Sequence, residues 1–431
     1  MATPSEVLAP QVAALRELSP ATSPASLFCG RTLVHIASTI YTTEGINTYI
    51  LALVGRLASR NSGLTQVVCY EHADADCIDD LSVGTSRIRF HSFRIDSPPD
   101  LVRVLGHYHS RPDQPLDLIV AHIPFFPEAR AAGEFAHRHR IPFLAYNHAG
   151  AGSLSADQER VLKETLSGNG RITVLAVSAA SRAKICTESG LDVPIEIVGP
   201  MIATERFTPV SPGEKDAWAK IKSARENLKS GGKRDLLVLA PNSFIARKLP
   251  LDLIHALRAL SAVKSLVNLK LGFVGHMDSA ESASLLQEAV AYIRQHDLVS
   301  RITFSPPADQ HLLRYVYGAA DIVVLPGFSE TFGLVLAEAG LMARPVVGYD
   351  VAGVREVVDH THTGLLAPWH ADRDIRVAGL AKAIRQLCLD PGMRSAMGSA
   401  GRRRILEKFD PARLIQRHEE CYSRAIAGNS A

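Results

Sequence analysis

Cysteine is scarce and scattered. Six occur in 431 residues, at Cys29, Cys69, Cys77, Cys186, Cys388 and Cys421. None belongs to a Cys-x-x-Cys pair, which argues against a structural zinc site. A long chain with so few cysteines suits a reducing cytosol, so a cytoplasmic location is expected. Long apolar runs are missing too. None approaches the roughly 20 residues that a membrane helix needs, so no integral membrane segment is expected. Residues 1–27 lack both a basic start and a long apolar stretch, so they do not read as a secretory signal. They read as an N-terminal extension with a short helix around Val7 to Leu18. Net charge is small: 47 Lys and Arg against 44 Asp and Glu leave +3, which offers no electrostatic case for nucleic-acid binding. At the pairs His137/His139 and His360/His362 no nearby carboxylate or Cys completes a convincing metal set, so they read as solvated rather than metal-binding.

What the chain does contain is apolar residue, 46% of it, with 21% charged, in a length that one core seldom organises. Two domains are expected. Short apolar runs alternate with longer helical patterns. Thr32-Leu-Val-His-Ile-Ala37 reads as a buried strand, and Ile46 to Ser59 has helical spacing. Thr65 to Cys69, Asp117 to Ala121, Pro142 to Tyr146 and Thr173 to Val177 read as further strands. Runs apolar almost throughout are strands covered on both faces, and their alternation with helices predicts a parallel, doubly wound α/β sheet. A Gly- and Pro-punctuated stretch at 199–234 loosens the pattern. A second series follows at Asp235 to Ala240, Leu269 to Val274, Arg301 to Phe304, Asp321 to Leu325 and Pro345 to Gly348. The expected division is a domain at 28–205, a linker at 206–234, a second domain at 235–405 and a C-terminal helix at 406–431, with packing back on the first domain one of two options.

The most informative stretch is Pro326-Gly-Phe-Ser-Glu-Thr-Phe-Gly-Leu-Val-Leu-Ala-Glu-Ala-Gly340. It begins at the C-terminal end of a strand, where open α/β sheets bind ligands. Ser329 or Thr331 is placed to cap the next helix, whose free N–H groups suit an anion such as a diphosphate. Glu330 and Glu338 are eight residues apart. On a helix that is roughly 12 Å of rise, about the length of a diphosphate, so each carboxylate can meet a hydroxyl-rich group on one side of the phosphates. The same spacing also fits an ordinary surface Glu and a helix-capping one.

The Glu-x7-Glu unit within Ser329 to Gly340 resembles the signature of retaining GT-B glycosyltransferases of family 4, the glycosyl transferases group 1. Arg344-Pro-Val-Val-Gly348, Val351 to Val358 and Thr363-Gly-Leu-Leu366 continue the resemblance in order. It is strong over roughly residues 235–370 and looser over 30–210. It implies two Rossmann-like domains facing each other across a cleft, with the donor held by the second. It implies that Glu338 holds the nucleotide ribose and that Glu330 sits beside the donor sugar. Thr331, Phe332, Gly333 and Leu334 resemble the stretch whose backbone faces sugar and diphosphate. Arg247 and Lys248 fall in the loop where the family places cations on the diphosphate. The family has Gly-Arg directly after that strand. Here Pro241-Asn242 stands instead, which leaves Asn242 in the donor site and Arg247 as a substitute for the missing Arg. In the first domain, Thr43-Glu-Gly-Ile-Asn-Thr-Tyr49 resembles the family's Gly-Gly loop, with Gly45 able to approach a phosphate. Glu44 and Asn47 then fall to the acceptor. His148 resembles the family His that reaches the donor sugar, and His122 is a weaker acceptor-binding candidate.

The resemblance implies an enzyme moving a sugar from a UDP- or GDP-linked donor to a small polar acceptor, with retention. His148, Arg247, Lys248 and Glu330 are the catalytic candidates. No metal or other cofactor is required if the two cations neutralise the leaving diphosphate. A nucleotide-sugar epimerase, a phosphorylase and a non-catalytic nucleotide-sugar-binding protein share the fold and remain alternatives. A homodimer is left open.

Overall fold

The computed structural model describes residues 27–37, 45–73, 78–94, 96–122, 124–148, 155–167, 172–190, 194–232 and 235–428. The proposed N-terminal helix, Thr43 and Glu44 lie outside them. The chain divides into two compact units, Met1–Ile202 with Pro411–Ala431, and Ala203–Asp410. Among the described residues no helix is long and apolar enough to cross a membrane.

The first unit is built on an eight-stranded sheet. Its strands are β1 (Thr32–Ile36), β2 (Thr65–His72), β3 (Ile78–Val83), β4 (Ser86–Arg94), β5 (Leu116–Ala121), β6 (Phe143–Asn147), β7 (Ile172–Ala176) and β8 (Ile195–Ile197). The order is β3-β4-β2-β1-β5-β6-β7-β8, and only the β3–β4 pair is antiparallel. The predicted strands form at β1, β2, β5, β6 and β7. The hairpin of β3 and β4 and the edge strand β8 were not anticipated. β3 reads Ile-Asp-Asp-Leu-Ser-Val and is buried only at Leu81 and Val83, so it lacks the continuous apolar run of an interior strand. Its turn uses Gly84 at a φ of 61°.

The helix Pro411–Ala427 closes this unit. Leu414, Ile415, His418, Cys421 and Tyr422 are buried along one face. Glu419 accepts a forked hydrogen bond from Arg60, at 3.0–3.3 Å, and one from Asn61 at 2.9 Å.

The second unit holds β9 (Leu236–Ala240), β10 (Leu269–Val274), β11 (Ile302–Ser305), β12 (Ile322–Leu325), β13 (Val346–Tyr349) and β14 (Gly364–Ala367). All pairings are parallel, in the order β11-β10-β9-β12-β13-β14. The order reverses between β9 and β12. That switch point opens a crevice at their C-terminal ends, and doubly wound sheets bind ligands there.

Two expectations about boundaries are corrected. Residues 206–234 are not a linker but part of the second unit. The helix Lys215–Asn227 buries Ala217 and Ile221, and Arg225 bonds Asp321 at 3.1 Å. The second unit also runs to Asp410 rather than 405. The C-terminal helix expected at 406–431 instead begins at Pro411, after the separate helix Pro391–Lys408, because Pro411 cannot continue the first.

Candidate functional site

Two loops meet at the switch point of the second unit, 241–249 after β9 and 326–333 after β12. Lys248 Nζ donates to Glu330 Oε1 at 2.5 Å, with side chains 14% and 8% exposed. Phe328 N–H donates to Arg247 O at 3.3 Å, and Arg247 Nη1 donates to Ser329 O at 3.4 Å. Thus Arg247, Lys248 and Glu330, 82 or 83 residues apart in sequence, share one site. The loop base is anchored from below. Asp252, on the helix Pro250–Leu260, accepts two hydrogen bonds from Arg376, at 2.7 and 3.2 Å, and one from Tyr349 at 2.8 Å. Between Lys248 and that helix, Leu249 adopts a φ of 45°, a left-handed conformation that a non-glycine residue holds at a cost.

Two buried polar atoms here have no hydrogen-bond partner in the structure, Asn242 Nδ2 and Ser329 Oγ. Buried polar groups are nearly always bonded, so both atoms are available to a hydrogen-bonding ligand.

The helix Leu334–Leu341 starts at Gly333, which has a φ of 87° and offers no side-chain cap. Neither Ser329 nor Thr331 caps it, contrary to expectation. The first intrahelical bond runs from Leu336 N–H to Gly333 O, so the N–H groups of Leu334 and Val335 precede the helical ladder. Gly353 packs its Cα against the backbone of Glu330 and Thr331, where a Cβ would collide. Phe332 sets its side chain edge-on to Phe409, with centroids 5.0 Å apart, so only its backbone is available to a ligand.

Glu338 lies on the helix and Glu330 in the loop before it, so the eight-residue spacing is not a continuous helical rise as predicted. Glu338 is 6% exposed and accepts a hydrogen bond from Tyr317 at 2.6 Å. Burial lifts its pKa to about 7, although Tyr317 and Arg206 both act to lower it. A carboxylate kept in so poor a solvent is characteristic of functional sites.

In the first unit, His148 follows β6 and is 8% exposed. Its Nε2 lies 3.1 Å from His122 Nδ1, and His122 Nε2 lies 3.1 Å from His35 Nδ1. Tyr49 sets its ring edge-on to His148 at 4.5 Å, and its hydroxyl is 2.7 Å from His418 Nε2. Burial holds His148 and His35 near a pKa of about 3 and His418 near about 4, and keeps His122 well below its usual value. His122 is 0% exposed and Asn47 is 3% exposed, both buried beneath the surface of the first unit. His122 supports His148. Gly45 opens the helix Gly45–Arg60. The pairs His137/His139 and His360/His362 are exposed.

Sequence reasoning missed Tyr317, Arg206, His35 and Gln66. The last two had a signal, since each is a polar residue inside a strand otherwise apolar and buried.

Two Rossmann-like units, the second with paired cation and carboxylates at its switch point, define a glycosyltransferase of the GT-B class. The profile described as glycosyl transferases group 1 matches residues 222–404. The D-inositol 3-phosphate glycosyltransferase of Frankia alni is 31% identical over 307 residues, 66% of this chain and 69% of that one. The alpha-maltose-1-phosphate synthase of Mycolicibacterium smegmatis is 37% identical over 118 residues, 27% of this chain and 30% of its own length. The chain spans about a third to a half of the length of several other curated relatives that it matches. Among solved structures, Anabaena Alr3699/HepE in complex with UDP-glucose superposes with a TM-score of 0.72 at 17% identity, covering 91% of this chain and 99% of that one. The chain belongs to the glycosyl transferases group 1 family.

Proposed function

We propose that the protein transfers a sugar, with retention, from a UDP-linked donor to a small hydroxyl-rich acceptor carrying a phosphate. The observation that carries the reading is the switch-point constellation of the second unit. Lys248, Arg247 and the N–H groups at Gly333 to Val335 suit a diphosphate. Glu338 suits the two hydroxyls of a ribose. Glu330, Asn242 and Ser329 suit the sugar and its linkage. A relative named for inositol 3-phosphate and another named for maltose 1-phosphate support a small phosphorylated acceptor or product. The UDP-glucose complex of a fold neighbour supports uridine as the base.

Breaking the anomeric bond passes through an oxocarbenium-like state while negative charge grows on the diphosphate. Cations and N–H groups fixed at that charge stabilise the transition state more than the ground state. In this reading Lys248 and Arg247 do so without a bound metal. The departing phosphate takes up the acceptor proton on the same face.

UDP-sugars should therefore raise the melting temperature more than GDP-, ADP- or dTDP-sugars. At 100 times the dissociation constant the gain is about 2.7 kcal/mol. No shift with any of the four would sink the donor assignment.

Glu338 offers a second test. Ribose hydroxyls donate to the ionised carboxylate, so the protonated form binds worse. With the pKa raised by burial to about 7, UDP-sugar affinity should fall about tenfold per pH unit below that value. Glu338→Ala should lose about 1.5–3 kcal/mol of affinity at pH 8 and flatten the pH dependence. Calorimetry on the folded variant decides. Unchanged affinity removes Glu338 from the site.

A further inference from the structure

The three stacked histidines of the first unit form a directed chain. His35 stands on β1, His122 directly after β5 and His148 directly after β6. These are neighbouring strands, so the three rings run in line along the C-terminal edge of the sheet. Two ring-to-ring contacts of 3.1 Å join them, His35 Nδ1 to His122 Nε2 and His122 Nδ1 to His148 Nε2. A neutral imidazole carries one N–H and one bare nitrogen. Burial keeps all three rings neutral at pH 7. Such a chain has only two arrangements, with every N–H pointing one way or every N–H pointing the other. Whatever fixes the proton at one end fixes the tautomer at the far end.

The inner end is fixed by Gln66. The β1–β2 register pairs Leu33 with Gln66 and His35 with Val68, so the Gln66 and His35 side chains share a face. Gln66 Nε2 is committed, donating to Val54 O at 2.8 Å. Its Oε1 and His35 Nε2 are both buried, and neither has a hydrogen-bond partner at bonding distance, each other included. They share one face, and Gln66 is near enough to favour the protonated ring, so each is the group that can satisfy the other. An amide oxygen only accepts, so the nitrogen facing it must carry the hydrogen. His35 Nε2–H then points to Gln66 Oε1. His122 Nε2–H donates to His35 Nδ1, and His148 Nε2–H donates to His122 Nδ1. His148 is left with its lone pair on Nδ1.

The groups flanking His148 do not disturb this. Tyr49 directs its hydroxyl hydrogen to His418 Nε2 at 2.7 Å, with Gly199 O a longer acceptor at 3.3 Å; His418 Nε2 is bare because His418 Nδ1 donates to Leu414 O at 2.7 Å. Tyr146 stacks its ring on His122, with centroids 4.9 Å apart, and directs its hydroxyl to Tyr422 at 3.1 Å.

We propose that Gln66, His35 and His122 are positioning residues that hold His148 in its Nε2–H tautomer, so that His148 presents the Nδ1 lone pair as a hydrogen-bond acceptor to a substrate hydroxyl. The tautomer follows from the chain alone, and its use on a substrate rests on the transferase reading. His148 accepts a hydrogen bond in this scheme and transfers no proton.

The test is long-range proton–nitrogen NMR on ¹⁵N-histidine-labelled protein without ligand, with His148→Gln identifying the resonances. The expected result is a bare, pyridine-type Nδ1 and a protonated Nε2 on His148. Gln66→Met removes the acceptor and should mix or invert the tautomers of His35, His122 and His148 while leaving His418 unchanged. Gln66→Glu restores an acceptor and should restore the wild-type pattern. A protonated Nδ1 on His148 in the wild type overturns the proposal, and so does an unchanged pattern in Gln66→Met. The wild-type spectrum decides even where a variant fails to fold. In a transferase assay Gln66→Met should lower kcat roughly three- to tenfold, the effect of one neutral hydrogen bond, with Gln66→Glu recovering it. Inverted tautomers with wild-type kcat would overturn the use on a substrate while leaving the chain in place. Loss of all transferase activity in the wild type would overturn the transferase reading without touching the tautomer.

Discussion

Lowering the pH from 7 to 5 is expected to cost the first unit about 4 kcal/mol of stability or more. Four histidines carry this effect. His35 and His148 have folded pKa values of about 3, His418 of about 4, and His122 lies well below the ordinary 6.5, all because burial penalises the imidazolium. Their unfolded values lie near 6.5. Between pH 6.5 and about 4 the unfolded chain binds protons that the folded unit refuses, so stability falls as pH falls through that window. At pH 5 His35, His148 and His418 each cost about 2 kcal/mol, or about 6 for the three, and His122 adds to this in the same direction. Glu71 runs the other way. Burial and the neighbouring Glu128 lift its carboxyl to about 7, so the folded state takes up a proton first and regains stability. That returns about 2 kcal/mol. The remainder is a large part of the whole stability of a typical domain. Urea unfolding at pH 7 and pH 5, with hydrogen exchange read on β1 and β5, measures it. His122→Gln should reduce the pH slope. Equal stability at the two pH values would mean that the rings are hydrated.

Lys248→Ala should slow a single turnover by roughly a hundred- to a thousandfold, about 2.7–4 kcal/mol, as loss of one fixed donor does at other sites of developing charge. Arg247→Ala should cost less, because its 3.4 Å contact to Ser329 O shows a side chain less committed to the crevice. Donor affinity should fall less than rate in both, since the diphosphate bears more charge when leaving than when bound. The structure adds a second effect. Without ligand, Lys248 neutralises Glu330, whose side chain is only 8% exposed. Removing Lys248 alone strands a carboxylate, and breaking such a pair destabilises by about 3–5 kcal/mol. The double variant Lys248→Met with Glu330→Gln removes both charges and separates folding from catalysis. If it recovers the melting temperature but stays slow with saturating donor and acceptor, Lys248 acts on the leaving group. Added magnesium should restore neither rate fully, because a mobile ion lacks the fixed geometry. Near wild-type rates in Lys248→Ala and Arg247→Ala would move the leaving-group role to the N–H groups at Gly333 to Val335.

Much of this protein is local and was readable in one dimension. Interior strands such as Leu236–Ala240 are apolar almost throughout because both faces are covered, and that burial is written into consecutive residues. Glu338 drew notice because it stands eight residues from Glu330 in the stretch after a strand's C-terminal end. Family motifs extended that reading to Glu330, Lys248 and His148. Other features depend on partners far along the chain. Ile78–Val83 is an edge strand, polar enough to pass for a loop, and only its pairing with Ser86–Arg94 makes it a strand. Lys215–Asn227 is largely polar and passed for a linker until Ala217 and Ile221 found a surface to bury against. Lys248 meets Glu330 because the strand order sets β9 beside β12, and Gln66 meets His35 because β1 and β2 pair in one register. Local pattern records how much of each residue water can reach. Which buried polar groups satisfy one another is decided by strand order and register, set by the packing of the whole unit.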